Sequence, residues 1–356
     1  MSESSLCIKV TKINGEKTII LANKLGIIDR KLEIRKNENY IYIPLIRQPE
    51  EKEISMLKAQ VPDFQLTTNV FTKKKQQRKS LAQVLENRLP LHLLASLPRA
   101  LDIVGDIAII EIPPELKAHE SLIGEAILTV HKNVRTVLAK VGAVSGTYRL
   151  REFKVIAGEH KTATIHKEYG CKYHVDVAKA YFSPRLSQEH NRVASLVQKG
   201  ETVVDLFAGV GPFSVLIAKN NADAKVYAVD INPEAIEFLE RNIRFNRVEK
   251  RVIPILGKAR QAVEERLLGV ADRVIMNLPE KALEFVDTAC KAIKPAGGMV
   301  HYYAFIRLPD SLENVQLRFS ETVEKTGRKV DAFLFAKTIR ETAPYEWQIV
   351  LDAKIL

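Results

Sequence analysis

The chain has 356 residues, 46% of them hydrophobic, and a formal net charge of +11 at pH 7. That length exceeds the ~100–200 residues of a usual domain, so two or three domains with ordinary cores are expected. No apolar run reaches the ~18 residues of a membrane span, and MSESSLCIKV lacks the charged head and apolar core of a secretory signal, so the expected location is cytoplasmic. The positive charge favours a polyanion such as nucleic acid, although a solvated basic surface with no such role also accounts for it.

Residues 8–22, IKVTKINGEKTIILA, read as a hairpin about Asn14-Gly15, a pair that tolerates positive φ. ENYIYIPLI at 38–46 adds a strand, and residues 1–65 form a small α/β unit. Residues 66–80 hold Lys73, Lys74, Lys75, Arg78 and Lys79 with almost no apolar periodicity, and they read as a basic linker. A middle α+β domain over 81–180 follows. SLAQVLENRL and LHLLASL are helical, and the stretch 101–112 is strand-like around Gly105-Asp106. A longer helical pattern precedes the strands TATIHKE and KYHVDVA.

From 181 to 356 strands alternate with helices: TVVDLF, PFSVLIAKN, KVYAVDI, PEAIEFLERNIRFN, RVIPIL, RQAVEERLL, DRVIMNL, KALEFVDTACKAI and GGMVHYYAF. Such alternation implies parallel βαβ units covered on both faces. The tail, 330–355, has two strand runs without a helix between them, which fits an antiparallel hairpin closing the sheet's edge. Cys7, Cys171 and Cys290 are few and far apart, which argues against disulfides and against clustered zinc ligands. No metal is expected.

Asp205 ends the first strand of this unit, and Gly209 and Gly211 shape the loop into the next helix. Open α/β sheets bind ligands at such a switch point. A dinucleotide fingerprint wants a third glycine for the pyrophosphate, which Gly209-Val210-Gly211-Pro212-Phe213-Ser214 lacks, and a carboxylate at Asp205 would repel a diphosphate. S-adenosylmethionine, cationic and free of phosphate, meets both objections: Asp205 receives its ammonium or sulfonium side, and Asp230 accepts from the ribose hydroxyls. A tight turn with a helix-capping acid is the bland rival. After the fourth strand comes Asn277-Leu278-Pro279-Glu280. An Asn there presents both an amide and a carbonyl to a base edge. Leu278 and Glu280 break the Asn-Pro-Pro-aromatic pattern of exocyclic-amine methylation, so a ring nitrogen is the better target. An ordinary strand-ending turn also explains the tetrapeptide.

Taken together, YRLREFKVIAGEHKT, YFSPRL, DLFAGVGPFS, AVDINPEAIE and MNLP resemble the archaeal and eukaryotic tRNA (guanine-N1)-methyltransferases that modify the guanine just 3′ of the anticodon, position 37 of tRNA. The likeness covers nearly the whole chain. It implies a Rossmann-like class I methyltransferase domain with two smaller N-terminal α+β RNA-binding domains. The first of these contacts the tRNA elbow, and the other domains hold the anticodon stem-loop. It also implies Glu189 as proton acceptor, Arg149 facing guanine O6 and Asn277 orienting the base. Tyr181, Ser183, Pro184 and Arg185 are then substrate-binding. The cofactor set is Asp205, Phe207, Gly209, Gly211, Asp230, Ile231, Asn277 and Pro279, and a monomer suffices because the accessory domains supply the RNA surface.

Each assignment has a plainer rival. Glu189 reads equally as a helix-face acid, and Arg149 and Arg151 alternate along a strand so that one faces solvent. His166 and His174 have no metal spacing, and Cys290 lies in a helix pattern away from the strand ends, a poor nucleophile. One departure from the family pattern is Leu256-Gly257-Lys258-Ala259-Arg260, where many methyltransferases place an acid for the adenine amine; a lysine cannot accept that bond. Three other functions remain: the branch of the family that also methylates a carbon of a wyosine precursor, a non-catalytic tRNA-binding relative, and a dinucleotide-dependent oxidoreductase.

Overall fold

The structure, a computed structural model, describes residues 2–74 and 79–356, and the chain divides into two compact units, Met1–Lys79 and Ser80–Leu356. The first comprises β1 (Ser2–Thr11), α1 (Lys12–Lys24), β2 (Arg35–Lys36), β3 (Tyr40–Pro44), α2 (Glu51–Gln60) and β4 (Gln65–Thr72). Its sheet runs β2-β3-β1-β4, and all the pairings are antiparallel.

Two expectations fail here. The hairpin about Asn14-Gly15 is instead a strand followed directly by α1, which buries Gly15, Thr18 and Ala22 at helical spacing. A Cβ on Gly15 would fall 2.2 Å from Ile41 Cδ1, so this glycine serves close helix–strand approach rather than a turn. The Asn14 amide donates to Asp63 Oδ1 at 2.6 Å. The linker expected at 66–80 is in large part β4, paired with β1 from Ser2↔Thr72 to Lys9↔Gln65. The β-branched run TTNVFT suits a pleated ribbon, and Lys73 is tied to Glu3 at 2.8 Å. Lys75 and Arg78 lie outside the described residues.

The second unit begins with α3 (Leu81–Leu85), α4 (Leu91–Ala95), β5 (Leu101–Val104), β6 (Ile107–Ile110), α5 (Glu120–Val130), β7 (Thr136–Ser145) and β8 (Leu150–Gly158). Its strands form a sheet in the order β5-β6-β7-β8, and Leu85, Leu116, Ile123, Ile127 and Val137 share one core on it. The hairpin β9 (Ala163–Glu168) and β10 (Cys171–Asp176) stands apart from that sheet.

The remaining elements are α6 (Ser187–Leu196), β11 (Thr202–Asp205), α7 (Pro212–Asn220), β12 (Lys225–Asp230), α8 (Pro233–Asn246), β13 (Val252–Leu256), α9 (Ala259–Ala262, continued by a π turn), β14 (Arg273–Met276), α10 (Val286–Ala292), β15 (Gly298–Arg307), α11 (Leu312–Glu324), β16 (Val330–Ala343) and β17 (Glu346–Ile355). They build a Rossmann-like sheet in the order β13-β12-β11-β14-β15-β17-β16. The first five strands are parallel, and β17 runs antiparallel to both its neighbours. Of the C-terminal pair, β17 goes inside and β16 takes the edge, because Gln348–Ala353 are buried whereas most of β16 is not. On α8, Asn242 and Asn246 bond the backbone of His174 and Lys172 at 2.6–3.1 Å, completing the free edge of β10 with side-chain amides. The β9–β10 hairpin thus packs on α8 on one side, while His166 and Thr164 of β9 bond the Gly105-Asp106 turn between β5 and β6 on the other.

Candidate active site

The strand order reverses between β11 and β14, where open α/β sheets leave a crevice at their carboxyl ends. A cavity of about 820 Å³ lies there. Of the residues expected at a site, Arg149, Tyr181, Ser183, Phe207, Gly209, Asp230, Ile231, Asn277 and Pro279 line it. Glu189, Asp205, Gly211, Pro184 and Arg185 do not.

The glycine loop is held from below. Asp230 Oδ2 accepts from the Gly209 N–H at 2.7 Å and Oδ1 from the Asn232 N–H at 2.9 Å, while burial pushes its carboxyl above the usual value. Gly209 (φ 55°) and Gly211 (φ 88°) both adopt the left-handed region that favours glycine. A Cβ on Gly211 would fall 2.4 Å from Leu239 Cδ1, so this residue seats α7 against α8. Asp205, expected to hold the cofactor, does not line the cavity: it is fully buried, and Ser214 Oγ donates to its Oδ2 at 2.8 Å. Its Oδ1 has no partner among the described residues, and burial raises the carboxyl to about 7.

The lining fits a phosphate-free nucleoside. Each oxygen of Asp230 carries one N–H and keeps a lone pair for ribose hydroxyls. Phe207 and Phe285 meet edge to face, their centroids 5.0 Å apart, and with Ile231 they give apolar walls. Lys258 also lines the cavity, so no acidic side chain replaces it at that position. Nearby Gln261 donates its amide to Glu265 Oε1 at 2.8 Å, which leaves its own carbonyl oxygen open.

Arg149 reaches the cavity from the turn between β7 and β8 with φ 55°. Its Nη2 donates to Glu280 Oε1 at 3.1 Å, and its guanidinium lies 5.4 Å from the Tyr181 ring centroid. Its Nε and Nη1 are buried without a partner among the described residues. Arg185 instead ties its turn to β5, with Nη2 3.0 Å from Asp102 Oδ2.

Glu189 differs from the expectation that it faces a bound base. Its neighbours Leu186 and His190 line the cavity, but its carboxylate is turned onto Arg192 and Tyr303. Oε2 takes the Tyr303 hydroxyl at 3.0 Å and Arg192 Nη2 at 2.9 Å. Among the described residues Oε1 accepts only Arg192 Nε, at 3.1 Å, which it shares with Oε2. Beside it, His190 Nδ1 lies 2.6 Å from Glu168 Oε1.

Two lining residues carried no signal in the sequence. Arg340 Nη1 donates to Ser183 Oγ at 3.0 Å and its Nε to Gln348 Oε1 at 2.9 Å. Gln348 Nε2 in turn approaches Asn277 Oδ1 at 3.5 Å. Both residues sit on the terminal strand pair, which in sequence looks like edge closure alone. Among the described residues no group of His, Cys, Asp and Glu is placed to hold a metal, and no helix is long and apolar enough to cross a membrane.

Comparison with known proteins matches residues 164–332 to the TRM5/TYW2 methyltransferase domain, 81–162 to the TYW2 N-terminal domain and 7–53 to the tRNA methyltransferase 5 N-terminal domain. The chain is 40% identical to the tRNA (guanine(37)-N(1))-methyltransferase Trm5b of Pyrococcus abyssi over 99% of both chains. It superposes with a TM-score of 0.72 on aTrm5 solved in complex with tRNALeu, at 34% identity over 99% of this chain and 100% of that one. A Methanocaldococcus jannaschii Trm5 in complex with adenosine is similar at 33% identity, covering 98% and 99%, with a TM-score of 0.64.

Proposed function

The chain belongs to the TRM5/TYW2 methyltransferase family, and from that membership we propose that it methylates N1 of the guanine at position 37 of tRNA, with S-adenosylmethionine as methyl donor. The observation that carries the reading is the pair of buried, unpartnered N–H groups of Arg149 in the cavity. Guanine O6 is an acceptor that one of these N–H groups can hold, whereas adenine puts an amine donor in that place.

S-adenosylmethionine supplies an electrophilic methyl group when bound. Asp230, Phe207, Ile231 and the Gly209 backbone would hold it. At neutral pH guanine N1 carries a proton, so the chain must remove that proton and stabilise the charge that moves to O6. Arg149 holds O6, and Asn277 and Pro279 position the base. Glu189 takes the proton on Oε1, the oxygen with the single partner, after turning from Arg192 toward the cavity that its neighbours line. Tyr181 stacks beside Arg149, and Ser183, Pro184 and Arg185 hold the loop that carries it.

The first unit, whose residues 7–53 match the tRNA methyltransferase 5 N-terminal domain, binds the tRNA elbow, while the rest of the chain holds the anticodon stem-loop. The enzyme acts as a monomer in the cytoplasm. A second reading, in which a wyosine precursor is also methylated, draws support from the TYW2 N-terminal match over 81–162. The test is incubation with labelled S-adenosylmethionine and tRNA transcripts carrying guanine or adenine at position 37, followed by nucleoside mass spectrometry. N1-methylguanosine on the guanine transcript alone is expected. Cofactor binding with no label on any guanine-37 tRNA would defeat the reading, and label on a wyosine-precursor tRNA would establish the second activity.

A further inference from the structure

Behind Glu189 a chain of buried polar groups crosses the sheet. Arg192 bridges Glu189 to Asp352 of β17, with Nη1 2.5 Å and Nη2 3.2 Å from its two oxygens. Asp352 Oδ1 lies 2.6 Å from His301 Nδ1, and His301 Nε2 lies 2.8 Å from Arg273 Nη1. Arg273 pairs with Glu201 at 3.0 Å. An arginine only donates, so His301 Nε2 must be the acceptor and Nδ1–H the donor to Asp352. His301 is therefore neutral, in keeping with the downward push of burial on its pKa.

The charges do not balance. Glu189, Asp352 and Glu201 bring three negative charges against two positive ones from Arg192 and Arg273. One proton would make this buried chain neutral, and interior charge is costly. Tyr303 adds no charge of its own, because burial and the nearby Glu189 push it well above its usual pKa. We propose that Asp352, held by His301, is a positioning residue that keeps Glu189 basic by sharing the charge of Arg192. This rests on the reading that Glu189 accepts the guanine proton. In that step the N1–H bond breaks, its electron pair stays on guanine and spreads to O6, and an O–H bond forms on Glu189 Oε1.

The other charged groups around α6 are already paired. His190 bonds Glu168 of β9, Arg185 pairs with Asp102 of β5, and Phe335 of β16 covers Arg192 at 4.4 Å. The acid–base behaviour of Glu189 is therefore set by Arg192 and Asp352 on one side and Tyr303 on the other.

The test is the pH dependence of single-turnover methylation of guanine-37 tRNA, with cofactor and tRNA affinities measured alongside. Asp352→Asn leaves the full charge of Arg192 on Glu189, so the acid limb should move down by about one pH unit and the plateau fall about tenfold, as expected for a weaker base. Tyr303→Phe removes a donor to the carboxylate and should move the same limb up. Opposite shifts with unchanged affinities support the proposal, since general structural damage would not give opposite signs. If Asp352→Asn fails to fold, His301→Gln should still move the limb down. Rates that fall with the limb fixed, or shifts in one direction for both variants, overturn it while leaving the role of Glu189 intact. Full activity in Glu189→Gln overturns that role, and the proposal with it.

Discussion

Arg149 donates one end of its guanidinium to Glu280 at 3.1 Å and leaves Nε and Nη1 buried and unpartnered. Glu280 thus anchors the side chain from the outer end and fixes which N–H groups point at a ligand. An unsatisfied buried donor costs about 1–3 kcal/mol, a cost that an acceptor on the substrate removes. The turn between β7 and β8 and the loop after β14 are joined through this contact.

Arg149→Lys should lower the methylation rate on guanine-37 tRNA by ~10²–10³-fold, because an ammonium cannot hold the Glu280 contact and an N–H on O6 together, and a lost charge-stabilising donor carries roughly that effect. Glu280→Gln keeps the free N–H groups of Arg149 and removes only the charge of its anchor, so a loss of under about tenfold is expected, mainly in KM. Single-turnover kinetics on both variants separates these outcomes. Equal losses would mean that the ion pair, not the free N–H groups, is what the reaction uses.

The two glycines of the loop should respond differently to alanine. At Gly211 a Cβ meets Leu239 at 2.4 Å with φ at 88°, and Leu239 is fully buried, so Gly211→Ala should cost about 1–3 kcal/mol of stability. At Gly209 the nearest atom is Tyr181 O at 3.5 Å, leaving room but not a relaxed backbone. Gly209→Ala should therefore cost ~1 kcal/mol and show itself chiefly in cofactor affinity. Denaturant midpoints and cofactor titration of the pair test the order.

Alternating strands and helices, the loop after β11 and the acid ending β12 are all set by local pattern. The site is less local. Asp205 shares the motif of the glycine loop, yet the strand pleat turns its side chain inward to Ser214, which no spacing reveals. Asn14-Gly15 has turn chemistry but was claimed by helix packing on Ile41. His301, Asp352, Arg340 and Gln348 lie on strands that read as plain sheet. Arg340 and Gln348 reach the cavity, and Asp352 reaches His301, because β17 inserts between β15 and β16, a long-range pairing. The amides of Asn242 and Asn246 gain their role in the same way, from a hairpin remote in sequence.

Asp205 makes stability depend on pH in a definite direction. Its folded pKa of about 7 lies above that of an unfolded aspartate, so the folded state holds the proton more tightly. The stability this contributes is present below the unfolded pKa and is lost as pH rises through about 7. Three pKa units correspond to at most ~4 kcal/mol. Asp205→Asn cannot ionise, so its melting temperature relative to the parent should be higher at pH 8 than at pH 5. Parallel melting curves at the two pH values would show that Asp205 ionises freely in the fold.

Lys258 stands where many methyltransferases carry an acid, and its side chain has no acceptor for an adenine amine. Gln261, also on the cavity wall, has a free carbonyl oxygen once its amide is bonded to Glu265. If that oxygen reads the adenine, Gln261→Ala should weaken cofactor binding by about 3–10-fold, the size of one neutral hydrogen bond, while Lys258→Ala leaves it within about twofold. Lys258→Asp supplies a charged acceptor at the same wall, and charge-assisted bonds are the stronger ones, so this variant should bind S-adenosylmethionine more tightly than the parent. Calorimetric titration decides the matter: tighter binding in Lys258→Asp with loss in Gln261→Ala places the adenine against this segment. No change in any of the three would put the adenine against the Phe207 and Phe285 walls, held by stacking alone.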